Sequence, residues 1–179
     1  MFQKGEYIVY GNTGVCLVED VGRPEQIPAD RETLYYTLTP VCGTEKIYIP
    51  VTTSIFMRPV ITREQALELI RRIPQIEETP CTERDQRLLE EYYRSLMMTH
   101  RCEDLVHLVK AIYVKGRMLA KNGKKPGARD TQYAKRAEML LHGELAVALD
   151  IPLDEVKDFI RRSLAGDLEK EQRRDGESA

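Results

Sequence analysis

Few residues in this chain could do chemistry, and their spacing narrows the chemistry sharply. Cys16, Cys42, Cys81 and Cys102 are separated by 26, 39 and 21 positions. A zinc site usually takes two ligands a few residues apart, so that one turn presents both. No such pair exists here, and the pattern suits the reduced, buried thiols of a cytosolic protein. His100, Cys102 and His107 are close in sequence but make no ligand spacing, so no metal is expected. Three histidines and scattered serines form no nucleophile-and-base pattern. No phosphate-cradling glycine loop, metal-binding helix motif or nucleophile elbow occurs. Glu77-Glu78 and Glu90-Glu91 are paired carboxylates, but they sit in charged stretches that read as solvated faces. The chain is expected to be no enzyme and to need no cofactor.

What remains is charge. The formal net charge is -2, but it is unevenly spread. Residues 110–136 hold nine basic groups against Asp130 alone, a net of +8 inside an otherwise acidic protein. A solvated helix usually interleaves both signs, as residues 83–94 do. A one-signed stretch repels itself unless a polyanion neutralises it, which points to nucleic acid. Within this segment Lys110, Arg117 and Lys121 are 7 and 4 positions apart, so at about 100° per residue they share one line of a helix. Lys124, Lys125 and Arg129 extend the charge into a Pro-Gly loop. These six residues are candidate phosphate contacts.

Two different periods must position those groups. The chain has 179 residues and 20.6 kDa, with 42% hydrophobic and 31% charged residues, a globular composition. Its first fifty residues alternate with period two. Glu6–Tyr10 and Val15–Val18 flank a Gly-Asn-Thr-Gly turn, and 34–38 and 46–49 read as two more strands. Pro50 ends the last one, having no amide for a central ladder. Four or five short strands predict a small antiparallel β-barrel, Tudor- or SH3-like, over residues 1–57, with an edge open to a partner strand and a connector near 51–61.

From residue 62 the period is helical, and residues 62–166 read as an all-α domain of about five helices, giving an α+β chain. Thr62 and Gln65 make a capping box. Leu89, Tyr92, Tyr93 and Leu96 mark the buried stripe of a second helix. A third helix carries Leu105, Leu108, Val109, Ile112 and Leu119 inward and stops at Asn122-Gly123, with Lys110, Arg117 and Lys121 opposite that stripe. Asp130 is expected to cap a fourth helix, and Gly166 to stop a fifth. Residues 167–179, densely charged and without an aromatic, are expected to be disordered. No run approaches the roughly 18 apolar residues of a membrane span. The start of the chain, with Lys4, Glu6, Glu19 and Asp20, is unlike a signal peptide, so a soluble cytoplasmic protein is expected.

The opening Gly5-Glu6-Tyr7-Ile8-Val9-Tyr10-Gly11, with Gly14, resembles the start of the CarD-type bacterial transcription regulators. The likeness continues through Leu17-Val18-Glu19, Ile47-Tyr48-Ile49-Pro50 and Arg58-Pro59-Val60-Ile61. His142-Gly143-Glu144-Leu145-Ala146, after Ala137–Leu141, is similar to the family's closing helix. The resemblance spans about residues 1–165. It implies a Tudor-like barrel that docks on the RNA polymerase β subunit, as the same barrel does in transcription-repair coupling factors. It further implies a helical domain that touches promoter DNA at the upstream edge of the melted bubble and stabilises the open complex. By the resemblance, polymerase contact maps to Lys46, Ile47 and Tyr48 with Arg23 nearby, and Arg84 and Arg87 join the phosphate contacts. Many members place a tryptophan wedge at a position that falls near Asp85 in this chain, which has no tryptophan. The family's polymerase-binding arginine position is Tyr48 here. A monomer is expected, bridging polymerase and promoter DNA. The competing expectation is a protein-only polymerase adaptor without DNA contact.

Overall fold

In the computed structural model, residues 1–24 and 33–177 are described, those from 167 onward as backbone alone. Two units form, Met1–Val60 and Ile61–Ala179.

The first unit is a five-stranded antiparallel sheet. Its strands are β1 (Tyr7–Tyr10), β2 (Gly14–Gly22), β3 (Tyr35–Pro40), β4 (Ile47–Pro50) and β5 (Met57–Pro59), in the spatial order β4-β3-β2-β1-β5. The period-two pattern does what it must. Ile8 and Tyr10, Cys16 and Val18, Tyr36 and Leu38, and Ile49 alternate along their strands and meet in one buried cluster. Burial pushes the Cys16 thiol up to about 11, which keeps it protonated and inert. Phe2 packs on the same cluster, and its amide donates to the Tyr36 hydroxyl at 3.0 Å.

The sheet is open in order, with β4 and β5 as its two edges and no β4–β5 pairing among the described residues, so the expected free edge is present and the strands form an open sheet. One boundary changes. The unit extends to Val60 rather than 57, because Met57–Pro59 pairs with β1 instead of serving as a connector.

The second unit is helical. α1 (Arg63–Arg72) begins with the expected capping box: Thr62 Oγ1 accepts from the Gln65 amide at 3.2 Å, and Gln65 Oε1 accepts from the Thr62 amide at 2.9 Å. α2 (Gln86–Met98) is capped by Asp85, which accepts from the Arg87 and Leu88 amides. α3 (Cys102–Lys121) ends where Gly123, at φ +67, lets the Lys124 amide turn back to the Leu119 carbonyl at 2.9 Å. α4 (Ala128–Leu149) and α5 (Val156–Glu177) complete the bundle. Leu69, Ile70, Leu89, Tyr93, Leu105, Leu108, Ile112, Leu141, Leu145 and Val156 lie in one core, which takes in the predicted stripes except for Leu119 at the end of α3.

α4 starts at Ala128 with Gly127 as its cap, so Asp130 stands in the first turn and its side chain is buried rather than capping. α5 runs past Gly166 to Glu177, where the sequence reading stops the helix and begins a disordered tail. A glycine costs only about 1 kcal/mol in a helix interior, and Leu168, Glu169, Lys170, Glu171, Gln172, Arg173 and Arg174 are good helix formers. No helix among the described residues is long and apolar enough to cross a membrane.

Candidate docking edge and nucleic-acid interface

The direction of each backbone group on β4 follows from its register. Tyr36 faces Ile49 and Leu38 faces Ile47, and the next pair outward is joined by the Val51 amide donating to the Leu34 carbonyl at 2.9 Å. Antiparallel pairs alternate between bonded and unbonded, so residues 51, 49 and 47 aim their groups at β3. Tyr48 and Pro50 therefore aim theirs outward. Pro50 sacrifices no ladder bond, and Tyr48 presents the one outward amide of β4. β5 is built alike: the Gly11 amide donates to the Phe56 carbonyl, so Met57 and Pro59 face outward there.

The four candidate docking residues differ in role. Ile47 packs on the sheet core with its amide committed to β3. Tyr48 is half-buried on the opposite face. Lys46 forms a 2.6 Å ion pair with Glu19, the residue skipped by a bulge between Val18 and Asp20 of β2. That hydrogen bond holds the Glu19 carboxyl below its usual range and the Lys46 ammonium above its own. Gly22, Tyr35 and Pro50 form one row across the sheet, so the exposed Arg23 leaves β2 at the Pro50 end of β4.

On the helical unit, the candidate phosphate contacts fall into two groups. Lys110 is not on an open face. Its ammonium donates to the carbonyls of Ile73 at 2.9 Å and Ile76 at 2.6 Å, and it lies 3.6 Å from Glu78. The chain leaving α1 crosses the helix line that Lys110 shares with Arg117 and Lys121, covering its beginning only. A cation there satisfies carbonyls that a helix end leaves bare. Arg129 is engaged as well, donating to the Gln86 carbonyl at 2.7 Å and pairing with Glu90 at 3.4 Å, which ties α4 to the first turns of α2. Lys115 is 3.0 Å from the buried Asp130, which also accepts from the Tyr93 hydroxyl at 2.8 Å. Burial first, then that hydrogen bond, raises the Tyr93 pKa.

Arg117, Lys121, Lys124 and Lys125 are exposed and have no acid in salt-bridge range among the described residues. Lys135 on α4 joins them. Arg117 lies over the ring of Tyr113, 5.9 Å from its centroid. Arg84 is exposed beside the α2 cap, and Arg87 forms an i,i+4 pair with Glu91 at 3.2 Å.

Residues 2–61, about a third of the chain, match the CarD-like/TRCF RID domain. The sheet unit is a CarD-like/TRCF RID domain. Domains of this type belong to transcription-related proteins that interact with RNA polymerase. No curated protein matches the chain. The match ends where the helical unit begins, and it takes in β5, so the RID domain and the sheet unit coincide to within a residue or two.

Outside the RID domain, the stretch His142–Ala146 is structural. Glu144 is buried; one carboxylate oxygen accepts from the Ile61 amide at 3.1 Å and the other from the Cys102 thiol at 3.1 Å. It ties α4 to the residue that opens the helical unit and to the first residue of α3. His107 is likewise spent locally, with one ring nitrogen 2.9 Å from the Glu77 carbonyl and the other 2.9 Å from the Tyr92 hydroxyl. Tyr113 was passed over in the sequence although the signal was there. It falls outside the Leu105, Leu108 and Ile112 stripe and one turn before Arg117.

Proposed function

We propose that this protein regulates transcription initiation by docking on the RNA polymerase β subunit through the β4 edge of its RID domain. In this reading the exposed cations of the helical unit hold promoter DNA near the upstream edge of the melted bubble and change the lifetime of the open complex. The observation that carries docking is an RID domain whose β4 edge turns the Tyr48 amide and carbonyl outward, while the Pro50 carbonyl beyond them accepts from the Thr53 amide at 3.0 Å. A partner strand can bond to the Tyr48 groups without disturbing the sheet.

The test is binding of the full chain to the β subunit. Tyr48→Pro removes the outward donor and no ladder bond, and is expected to weaken binding about tenfold or more while the sheet stays folded. Ile47→Pro, which breaks a bond to β3, should disrupt the sheet itself and so cannot report on docking. Unchanged affinity in a folded Tyr48→Pro chain moves the docking surface off β4.

One observation favours the second reading, a protein-only adaptor. Asp85, near the position where many members of the resembled family carry the wedge tryptophan, is occupied in capping α2 and offers no ring to insert. Salt-dependent binding of forked promoter DNA separates the two readings.

A further inference from the structure

Between α3 and α4 runs a groove of about 680 Å³. It is lined by the small residues Gly116, Ala120 and Ala134 and by Tyr113, Arg117 and Lys135. Gly116 matters to its shape. A Cβ there would stand 3.2 Å from Pro126 Cγ, so the glycine lets the Pro-Gly loop close against α3.

Tyr113 is the most exposed aromatic among the described residues, at 66%. Its exposure costs apolar hydration with no core contact in return. The Arg117 guanidinium backs its ring at 5.9 Å from the centroid, and at this exposure much of the ring stays open to solvent. An aromatic plate backed by a cation, with further cations along the same path, is the usual platform for unpaired nucleic acid. The groove holds two acids. Glu78 is paired with Lys110, and Glu138 lies one turn beyond Lys135, within electrostatic reach of His142. The open end is therefore the cationic one, where α3 leads into Lys121, Lys124 and Lys125.

We propose that this groove binds an unpaired DNA strand, with a base stacked on the exposed ring of Tyr113 and its flanking phosphates on Arg117 and Lys135. The proposal rests on the DNA-contact reading above and adds to it a preference for melted strand. In duplex DNA each base face is covered by its neighbours, so only a base freed from the stack can meet the ring.

The test uses the full chain, a short labelled oligothymidylate and an abasic strand of equal length, each titrated over a range of salt. The base-bearing strand should bind roughly tenfold more tightly than the abasic one. Tyr113→Ala should abolish that preference and leave the salt slope unchanged, while Tyr113→Phe should retain it. Since Tyr113 is exposed, neither change touches the core. The combined variant Lys121→Ala, Lys124→Ala, Lys125→Ala should weaken both strands alike. If that charge variant weakens both strands but Tyr113→Ala changes nothing, the groove holds phosphates only; stacking is overturned and DNA contact survives. If neither strand binds, or the charge variant binds as the native chain does, the DNA reading falls and the groove proposal with it.

Discussion

The helical unit contains two populations of cations drawn from one run of sequence. Lys110, Lys115 and Arg129 turn inward and hold backbone carbonyls or a buried carboxylate. Arg117, Lys121, Lys124, Lys125 and Lys135 face solvent without an acid in range among the described residues. Helical phase does not separate them, since Lys110 shares its line with Arg117 and Lys121. What separates them is whether another segment crosses above, and for Lys110 the residues leaving α1 do. A charge run counted in sequence therefore overstates a nucleic-acid surface. Here a third of the nine basic groups are spent on the fold.

The sharpest break between the populations is expected at Lys115. Lys115→Met leaves Asp130 buried with only the Tyr93 hydroxyl for company, and removing one partner of such a pair should cost about 3 kcal/mol. Urea denaturation of the full chain measures it. Adding Asp130→Leu should recover much of the loss, because two apolar groups leave no charge unpaired. A loss below about 1 kcal/mol would put Lys115 with the outward group.

Lys110→Ala should come next, at about 1–2 kcal/mol, through lost bonds to the Ile73 and Ile76 carbonyls. The loss should be local as well as global. Amide exchange should quicken around Ile73–Ile76 before the α3 core opens. Exchange that rises evenly through the unit would contradict a clamp at this place.

A pH dependence distinguishes the core from the surface more gently. Burial holds the His142 pKa below its usual 6.5. The unfolded chain then binds a proton that the folded chain refuses. Stability should be full above about 6.5 and decline as pH falls below it toward the lowered folded value. His142→Gln should flatten that decline, and an unaltered profile would assign it to other groups.

Sequence alone showed the two-unit plan because its signals are local. Alternation placed Ile8, Tyr10, Cys16 and Val18 on one face, and the capping box at Thr62 needs only four residues. β5 was hidden because three residues ending in Pro59 show no alternation, and only pairing with β1 makes them a strand. Lys110, Asp130 and Glu144 were misread or unread for a common reason. Their partners lie 15 or more positions away, so nothing nearby announces them. The edge geometry was legible in part. Pro50 signalled an edge, but only the register showed that Tyr48, not Ile47, carries the outward amide.

The smallest effect on stability should accompany the largest effect on DNA binding. The side chains of Lys121, Lys124 and Lys125 are exposed, and surface changes of this kind typically stay within about 0.5 kcal/mol. Arg129 does not belong in this set, since removing it would break the tie to Gln86 and Glu90 and confuse binding with folding. Replacing the three lysines with alanine removes like charges that repel one another, so stability at low salt should hold or rise slightly. If each lysine displaces a counterion from a phosphate, the slope of log affinity against log salt should fall by about 0.9 per lysine on duplex DNA. The weakening should be similar for unrelated sequences, because phosphate contacts position a protein without reading bases. Lys110→Ala should do the reverse, lowering stability and leaving the slope unaltered. Titration of both variants with forked DNA at several salt concentrations makes the comparison. If the two variants change the slope equally, the division into inward and outward cations has no functional meaning.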